Sequence, residues 1–453
     1  MRIHTLAVFV FTLILAGGAH ANDLAQLYEI ALRRDAALQA AGFKRDAAIE
    51  SRPQAVAQLL PQVAATASAT RERLGYDVSQ IQGTQSSYCD LGTGGDAQRC
   101  YGSARVLGLS LSQTLWSYQA FSQLKEANRQ AAAAEAEFRS AQESLVLRVA
   151  QAYFTILSAG DQLTTNRRER EAFRTLLDQA NVRAQTGVGP RSDVEQAQSF
   201  YDATEQSVID AQNALDDANL AMTTIVGARA ESVAPLRENI PLAAPDPDSA
   251  EEWVAAAALD NLDVRTAQLK ADAASYDIAA QRGKALPTIA LVGSASKTSQ
   301  DYVLGGNQSL DTIGVAFSWP LFQGGAVASA VRQSRALYHE AEAELDTAKR
   351  DTERQTRAAF RGIVSGTQRI AAAHRAVDSG REAVEASRRN VEFGTGTEFD
   401  LLNAQNNYYA AIRAYSQARY DYLTSVLTLK RQAGRLTESD LLAIDELLVE
   451  HPA

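Results

Sequence analysis

Two segments in each half of the chain alternate between apolar and polar residues with a period of two. They are residues 63–70 and 107–112 in the first half and residues 288–295 and 313–321 in the second. This period predicts strands with one apolar and one polar face. The apolar face could cover a sandwich core or face lipid. Strands of about 12 residues, tilted by about 40°, rise roughly 30 Å, which favours a membrane β-barrel.

Long segments without proline predict helices, because proline costs about 3 kcal/mol in a helix interior. We expect two long helices, two shorter return helices and two amphipathic helical segments. The long helices are expected at residues 115–188 and 321–394, and the return helices at residues 191–227 and 398–434. The amphipathic segments are expected at residues 22–59 and 251–285.

Heptad repeats mark both return helices and one long helix. The series are Val194, Tyr201, Val208, Leu215 and Met222; Leu401, Tyr408, Tyr415, Tyr422 and Leu429; and Ile370, Val377, Val384 and Val391. Strict heptads predict knobs-into-holes packing between neighbouring helices. The tyrosines could instead form a ligand platform, but core packing with hydroxyl groups at the rim is the favoured interpretation.

The two halves of the chain repeat each other. An offset of 207 residues relates Gly187 to Gly394, Asp193 to Asp400 and Gly227 to Gly434. An offset this long is far beyond a solenoid period and indicates a tandem duplication. The expected organisation is a signal peptide (1–21), a first repeat (22–227), a Pro-rich connector (228–250), a second repeat (251–434) and a C-terminal segment (435–453).

The N-terminus predicts export. A basic start, an apolar run at residues 6–15 and Ala19-His20-Ala21 are typical of a signal peptide, with cleavage expected before Asn22. No cysteine follows this run, so we expect no lipid anchor. Cys89 and Cys100 lie in an insert that the second strand pair lacks, and in an oxidising compartment they predict a disulfide.

The amino-acid composition argues against several classes of function. A net charge of -10 argues against a nucleic-acid partner, which requires a basic face. Five histidines, two cysteines and the lack of phosphate-loop, nucleophile-elbow or zinc motifs predict a protein that is not an enzyme and has no cofactor or metal. Trp116, Trp319 and Phe322 stand where strands end and helices begin, as in the aromatic girdle of a membrane barrel.

The duplicated order of helix, strand pair, long helix, Gly-x-Gly turn and return helix resembles the TolC family of outer-membrane channels. Local matches are LAQLY at 24–28, LP at 286–287, LFQGG at 321–325, VEFGT at 391–395, FDLL at 399–402 and DLLA at 440–443. Without a lipid-attachment cysteine, the chain is nearer to the unlipidated TolC branch. The fold class that this resemblance implies is mainly α with a membrane β-barrel: a trimeric 12-stranded barrel continued by a 12-helix periplasmic α-barrel.

The resemblance also implies the function. We expect a homotrimer in the outer membrane of a Gram-negative cell that extends into the periplasm, contacts outer-membrane lipid and serves efflux of small molecules or type I protein secretion. A periplasmic adaptor would dock at the tips around Gly187, Gly189, Gly394 and Gly396, and an inner-membrane transporter would supply energy. The alternative is a soluble periplasmic coiled-coil scaffold or adaptor, which has no evident use for amphipathic strands.

The resemblance places the pore constriction at Asp400, Asn403 and Asp193. Asp400 matches the outer of two carboxylate rings, and Asn403 stands at the inner ring without its charge. Val391 and Gly396 occupy the positions of the tyrosine and arginine that tie the family's entrance closed. Independently of the family, Asp193 and Asp400 could simply stabilise the first turns of their helices through the helix dipole.

Overall fold

The computed structural model describes residues 24–76, 89–90, 98–228, 233–300 and 306–449. Side chains are not described for residues 72, 74–76, 89–90 and 98–101 within the strands. The predicted signal peptide (1–21) and parts of the insert, the connector and the C-terminal segment lie outside the described residues.

Ten helices and five strands make up these described residues. The helices are α1 (Leu24–Arg34), α2 (Ala36–Ile49), α3 (Ser51–Ala57), α4 (Tyr118–Gln185), α5 (Arg191–Val226), α6 (Ala250–Asp260), α7 (Leu262–Gly283), α8 (Ala326–Glu392), α9 (Glu398–Gln432) and α10 (Glu438–Asp445). The strands are β1 (Gln62–Tyr76), β2 (Cys89–Asp90), β3 (Gln98–Ser117), β4 (Thr288–Gln300) and β5 (Asn307–Ser318). None of these helices has the length and apolar character needed to cross a membrane.

The predicted strands form one antiparallel sheet in the order β1-β3-β4-β5, with β2 paired to β3. Residues opposite each other in the ladder share a face of the sheet. One such row joins Val63, Leu111, Gly293 and Ile313. The adjacent row joins Ala64, Ser110, Ser294 and Thr312, so one face is apolar and the other is small and polar.

The apolar face of the sheet is uncovered in the single chain. Ile313 is 78% exposed, and Val315 and Phe317 on the same strand are also exposed. Within the described residues, no second sheet covers this face. The structure therefore gives no support to a sandwich core.

The boundaries of the long helices differ from the predicted ones. Strand β3 continues to Ser117, so α4 begins at Tyr118 and not at residue 115. The ladder between β3 and β4 holds these residues extended as far as Ser117. Helix α8 begins only at Ala326, because Gly324 and Gly325 form a turn with φ of 59° and 82°.

The two amphipathic segments are broken, where the sequence suggested continuous helices. Residues 22–59 divide at Asp35, whose Oδ1 accepts a hydrogen bond from the Leu38 backbone N–H at 2.6 Å. Residues 251–285 divide at Asn261, whose Oδ1 accepts hydrogen bonds from the Asp263 and Val264 backbone N–H groups. In both cases a short polar side chain caps a new helix, because its oxygen accepts hydrogen bonds from backbone N–H groups that have no partner within the helix.

The chain folds as two compact units. Of the described residues, those within 24–43, 137–265 and 348–449 belong to unit 1, and those within 44–136 and 266–347 belong to unit 2. The main core of unit 1 gathers large buried side chains from α1, α4, α5, α9 and α10, including Leu24, Tyr153, Met222, Leu427 and Leu441. Unit 2 contains the sheet and a small cluster of Ala133, Ala136 and Leu269.

The heptad positions are half-buried or buried, and on α5 a neighbouring series of small residues forms the deepest layer. On α5, the buried positions Ala197, Thr204, Ala211 and Ala218 recur every seven residues beside the predicted series. On α9, the Tyr422 hydroxyl donates to the Ala243 carbonyl (2.9 Å) and the Tyr415 hydroxyl to the Glu238 carbonyl (3.3 Å). These tyrosines anchor the connector, and nothing in the described residues supports a ligand platform.

Candidate functional site

The α4–α5 and α8–α9 turns of unit 1 have the same backbone geometry. Gly187 and Gly394, which are related by the duplication, have φ of 74° and 71°, a conformation that favours glycine. In the first turn, the N–H groups of residues 188 and 189 donate to the Arg183 carbonyl. In the second turn, residues 395 and 396 donate to the carbonyl of Asn390 in the same way.

Gly189 and Gly396 each lie against the last turn of the preceding helix. A Cβ at Gly396 would be 2.8 Å from the Asn390 Cβ, and a Cβ at Gly189 would be 3.2 Å from the Arg183 Cβ. A larger residue at Gly396 would therefore require Asn390 to shift. The turn can close against Asn390 because Gly396 has no side chain.

Asp400 forms a capping box with Thr397 at the start of α9. Its Oδ2 accepts hydrogen bonds from the Thr397 hydroxyl (2.6 Å) and backbone N–H (3.2 Å), and its own N–H donates to the Thr397 Oγ1 (3.1 Å). These bonds hold the pKa of Asp400 below its usual range. The carboxylate is exposed and charged, so it stabilises the helix start and remains available to solvent.

Asn403 and Asp193, the other two residues predicted at the constriction, make fewer side-chain hydrogen bonds than Asp400. Asn403 donates from Nδ2 to the Phe399 carbonyl at 3.0 Å and contributes no charge. Asp193 lies half-buried in the first turn of α5, with the Ser192 hydroxyl 3.5 Å from its Oδ1. No contact among the described residues shows that Asp400, Asn403 and Asp193 line a pore. That role stays a prediction.

A buried ion pair that the sequence did not reveal lies beside these turns. Glu398 is 4% exposed, and its Oε2 lies 2.8 Å from Nη2 of Arg183 on α4. Neither carboxylate oxygen has a well-aligned hydrogen bond within the described residues. Burial raises the pKa of Glu398; Arg183 opposes the shift and the charge of Asp193 adds to it.

Glu398 was missed because a glutamate in a first helical turn is already explained by the helix dipole. The duplication could not reveal the pair either. The positions equivalent to Arg183 and Glu398 are Asn390 and Arg191, which cannot form the same interaction.

A second buried ion pair also joins α4 to α9. Arg413 Nη1 donates to Glu169 Oε2 at 2.5 Å and to Asn166 Oδ1 at 3.1 Å. Burial raises the pKa of the Glu169 carboxyl, and the hydrogen bond from Arg413 opposes this shift. Both pairs connect the first repeat to the second within one chain.

The predicted girdle aromatics lie in unit 2 and are exposed. Trp116 is opposite Ile289 in the ladder, and Ile289 is opposite Phe317, two residues before Trp319. Trp116 and Trp319 therefore lie at one end of the sheet. Phe322 is 87% exposed, and the Trp319 indole N–H donates to the Ala285 carbonyl at 3.2 Å.

The backbone pairs the two cysteines. Cys89 of β2 lies directly opposite Cys100 of β3 in an antiparallel register. Opposed residues of such strands have Cα atoms about 4.5–5.5 Å apart, within the range that a disulfide spans. Their side chains are outside the described part of the structure, so the bond itself stays a prediction.

Comparison with known proteins places this architecture in a family. The model of the outer membrane efflux protein family matches residues 27–228 and 253–435. The chain belongs to this family. It is a family of channel proteins, and the two matched segments correspond to the two halves of the duplication.

Relatives of the family match almost the whole chain. The alkaline protease secretion protein AprF of Pseudomonas aeruginosa is 31% identical over 97% of this chain and 90% of its own length. The outer membrane protein TolC of Vibrio cholerae is 29% identical over 95% of each chain. The protein is therefore an outer-membrane channel for efflux or secretion, and the soluble-scaffold alternative is wrong.

Solved structures show the same fold. A membrane protein from Pseudomonas aeruginosa has a TM-score of 0.77 at 19% identity, covering 92% of this chain and 91% of its own. The outer membrane protein VceC from Vibrio cholerae has a TM-score of 0.75 at 20% identity, covering 91% and 96%. The predicted fold class, mainly helical with a membrane β-barrel and a tandem duplication, is confirmed.

Proposed function

We propose that three copies of the chain form the exit duct of an export machine with a periplasmic adaptor and an inner-membrane transporter. The sheet is the observation that carries this proposal. Strands β1 and β5 are its two edges and leave 15- and 12-residue strands without an outer partner among the described residues. Unpaired edges of this length recruit further strands.

Barrel size and the family relationship together support three copies. Four long strands are too few to close a barrel, for which about eight is the practical minimum. Two copies would supply eight strands, whose interior fills with side chains. Three copies supply twelve, which leave a lumen, and the family relationship supports three.

The entrance of this duct is proposed at the helix tips. The exposed carboxylate of Asp400 would form the constriction. Asn403, which follows it on α9, and Asp193, its counterpart in the first repeat, would contribute to the same constriction. Gly187, Gly189, Gly394 and Gly396 would present the turns to the adaptor. Trp116, Trp319 and Phe322 would contact lipid at the membrane surface.

The cargo is proposed to include polypeptides. AprF is named for alkaline protease secretion, and PrtF of Dickeya chrysanthemi, 29% identical over 98% of this chain, is named for secretion of proteases. These relatives favour type I protein secretion as one use of the channel. The TolC relatives leave small-molecule efflux as the other.

Crosslinking at the tips tests the proposed machine. A photo-reactive residue at position 188, which is exposed, should capture an adaptor in intact cells. The transporter recovered with that adaptor identifies the cargo class. Recovery of uncrosslinked channel from cells that export normally would contradict docking at the tips.

A further inference from the structure

The lysine and arginine residues of strands β1, β3, β4 and β5 all share one face of the sheet. The ladder places them on the face that carries Val63, Leu111 and Ile313. The opposite face of these described strands carries no lysine or arginine. The cations on the apolar face are Arg71, Arg73, Arg99, Arg105 and Lys297.

The cations lie at one end of this face. At the other end, β3 carries Trp116 and leads directly into α4. Trp116 and Arg105 are eleven residues apart on β3. Eleven residues of a strand tilted by about 40° rise roughly 28 Å, slightly more than the apolar band of about 25 Å of a membrane barrel. In the proposed assembly the helices point into the periplasm, so Arg105 lies at the outer surface of the membrane.

Three of these cations are neighbours on adjacent strands. Arg105 lies opposite Ala69 on β1 and Ser299 on β4. Arg71 follows Ala69 by two residues, and Lys297 precedes Ser299 by two. Diagonal neighbours of this kind have Cα atoms about 7–8 Å apart on one face. Arg71, Arg105 and Lys297 therefore form a line of positive charge across three strands, the basic patch.

The basic patch has no ionic partner within the described part of the chain. Its three side chains are exposed, and none forms an ion pair with another described residue. On this face of β1, β3, β4 and β5, the one acidic residue is Asp311, a diagonal neighbour of Lys297 that forms no ion pair with it. Like charges this close on a sheet destabilise it unless an anion offsets them.

An apolar cleft lies beside the basic patch on the same face. Its volume is about 510 Å³, and Leu107 and Leu109 line it together with Lys297 and Asp311. A cleft with apolar walls and a cation at its rim matches the two parts of an anionic lipid. An acyl chain would lie against the leucines, and a charged headgroup would reach the patch.

We propose that Arg71, Arg105 and Lys297 bind the phosphate groups of a lipid headgroup in the outer leaflet of the membrane. Arginine and lysine donate charge-assisted hydrogen bonds to phosphate oxygens. Anionic cargo in the lumen would meet the opposite face, which has no cation, so the partner is a lipid. This inference rests on the proposed assembly, in which the apolar face meets lipid, and it adds the chemistry of that lipid and the residues that recognise it.

Lipid binding by the purified oligomer tests the proposal. The probes are lipid A, which carries phosphate groups, and the same lipid after enzymatic removal of its phosphates. Native mass spectrometry in detergent measures the bound fraction of each, and the wild type should bind the phosphorylated form more tightly. Each cation beside an anionic lipid surface adds about fivefold to the affinity, so the triple change of the patch to Gln should weaken lipid A binding roughly 100-fold. Binding of the dephosphorylated form should not change.

Matched variants separate the position of the charges from their number. Arg52, Arg332 and Arg335 are exposed on helices of the same unit, and their triple change to Gln removes the same charge. This control should bind lipid A as the wild type does. Asp311→Asn should keep the preference for the phosphorylated lipid. Inorganic phosphate at the concentration of the lipid should not displace lipid A, because the free ion has no acyl chains to hold it at the cleft.

The outcomes separate this inference from the proposed function. Equal binding of the two lipid forms by the wild type, which requires no variant to fold, would overturn the inference alone. So would displacement by inorganic phosphate, an equal loss in the helix control, or loss of the preference in Asp311→Asn, which would make that carboxylate the partner of the patch. A wild-type chain that is monomeric in detergent and in native membranes would overturn the proposed assembly itself.

Discussion

At the scale of single residues, Asp400 is a helix cap whose carboxylate also stays available for the proposed constriction. Asp400 closes a capping box with Thr397 and yet remains exposed. The same box occurs at the start of α10, where Asp440 accepts hydrogen bonds from the Thr437 N–H and hydroxyl. The chain therefore contains a matched cap outside the proposed pore.

Replacing Asp400 by Ala should reduce cation selectivity and weaken block by multivalent cations, because a ring of carboxylates favours cations. The lost cap costs about 1 kcal/mol of helix stability. Asn403→Asp should strengthen the block by adding charge one turn further along. Single-channel recording in planar bilayers measures both effects.

The control for this prediction is Asp440→Ala, which removes an equivalent cap and an ion pair with Lys430. It should lower stability without altering selectivity. If Asp400→Ala behaves like Asp440→Ala in conductance, Asp400 is a cap and has no place in the constriction.

Glu398 should make stability depend on pH. Burial raises its pKa above the ordinary value of about 4.3, so the folded protein holds this proton more tightly than the unfolded chain. Relative to Glu398→Gln, the wild type should therefore lose stability as pH rises from that value through the raised pKa. Thermal unfolding in detergent between pH 4 and 8 measures this difference.

Arg183 should matter most while Glu398 is charged. Arg183→Gln leaves a buried carboxylate without its cation and should cost about 3 kcal/mol near neutral pH, and less in acid. The double variant with Glu398→Gln should recover most of that loss. Additive losses in the double variant would show that the two residues do not interact.

At the scale of elements, glycines and short polar side chains decide where helices begin and end. Asp35 and Asn261 each divide one predicted helix, and glycines with positive φ form both tips. At Gly187 and Gly394, no described heavy atom lies within 4 Å of the position that a Cβ would take. Their replacement changes the surface of the tip more than its packing.

Replacing Gly187 or Gly394 by Leu should abolish export while trimers still form. The left-handed conformation costs about 1–2 kcal/mol for a residue with a side chain, which a large assembly tolerates. Gly324→Leu is the matched control, since Gly324 has φ of 59° and equally open surroundings but belongs to the turn between β5 and α8. Export assays with each variant make the comparison, and normal export from both tip variants would exclude docking there.

The paired strands predict the state of the cysteines. With Cys89 opposite Cys100, a thiol reagent applied to intact cells should label neither residue until a reductant is added. The disulfide is worth about 3 kcal/mol by loop closure, so reduction should also lower the stability of the β2–β3 region. Labelling of both cysteines without reductant would contradict the bond.

At the scale of the whole molecule, one chain is an incomplete structure. Its sheet has two long edges and an exposed apolar face. In the proposed assembly, further copies of the chain would pair with the edges and lipid would cover the apolar face.

Neighbouring residues on β5 provide a test of the lipid-facing side. Ile313→Lys places a charge on the apolar face and should cost about 2–4 kcal/mol near the membrane midplane, reducing the outer-membrane fraction. Thr312→Lys, on the opposite face, should insert normally. Membrane fractionation and heat-modifiable migration compare the two, and equal insertion would contradict the assigned faces.

The sequence by itself determined the features that depend on local periodicity. Alternation of period two marked the four long strands, and the heptads marked the packed faces of α5, α8 and α9, because side-chain direction follows directly from backbone geometry. Glycine positions marked the turns, since only glycine readily adopts positive φ. The constant offset of 207 residues revealed the duplication without any structure.

Only the tertiary structure decided which helices meet and which charges are buried. A first-turn glutamate looks the same in sequence whether it is solvated or, like Glu398, enclosed beside Arg183 from a helix more than 200 residues away. Likewise, the partners Glu169 and Arg413 have no shared motif. Such pairs depend on the register between distant elements, which the packing of the whole chain sets and no local pattern records.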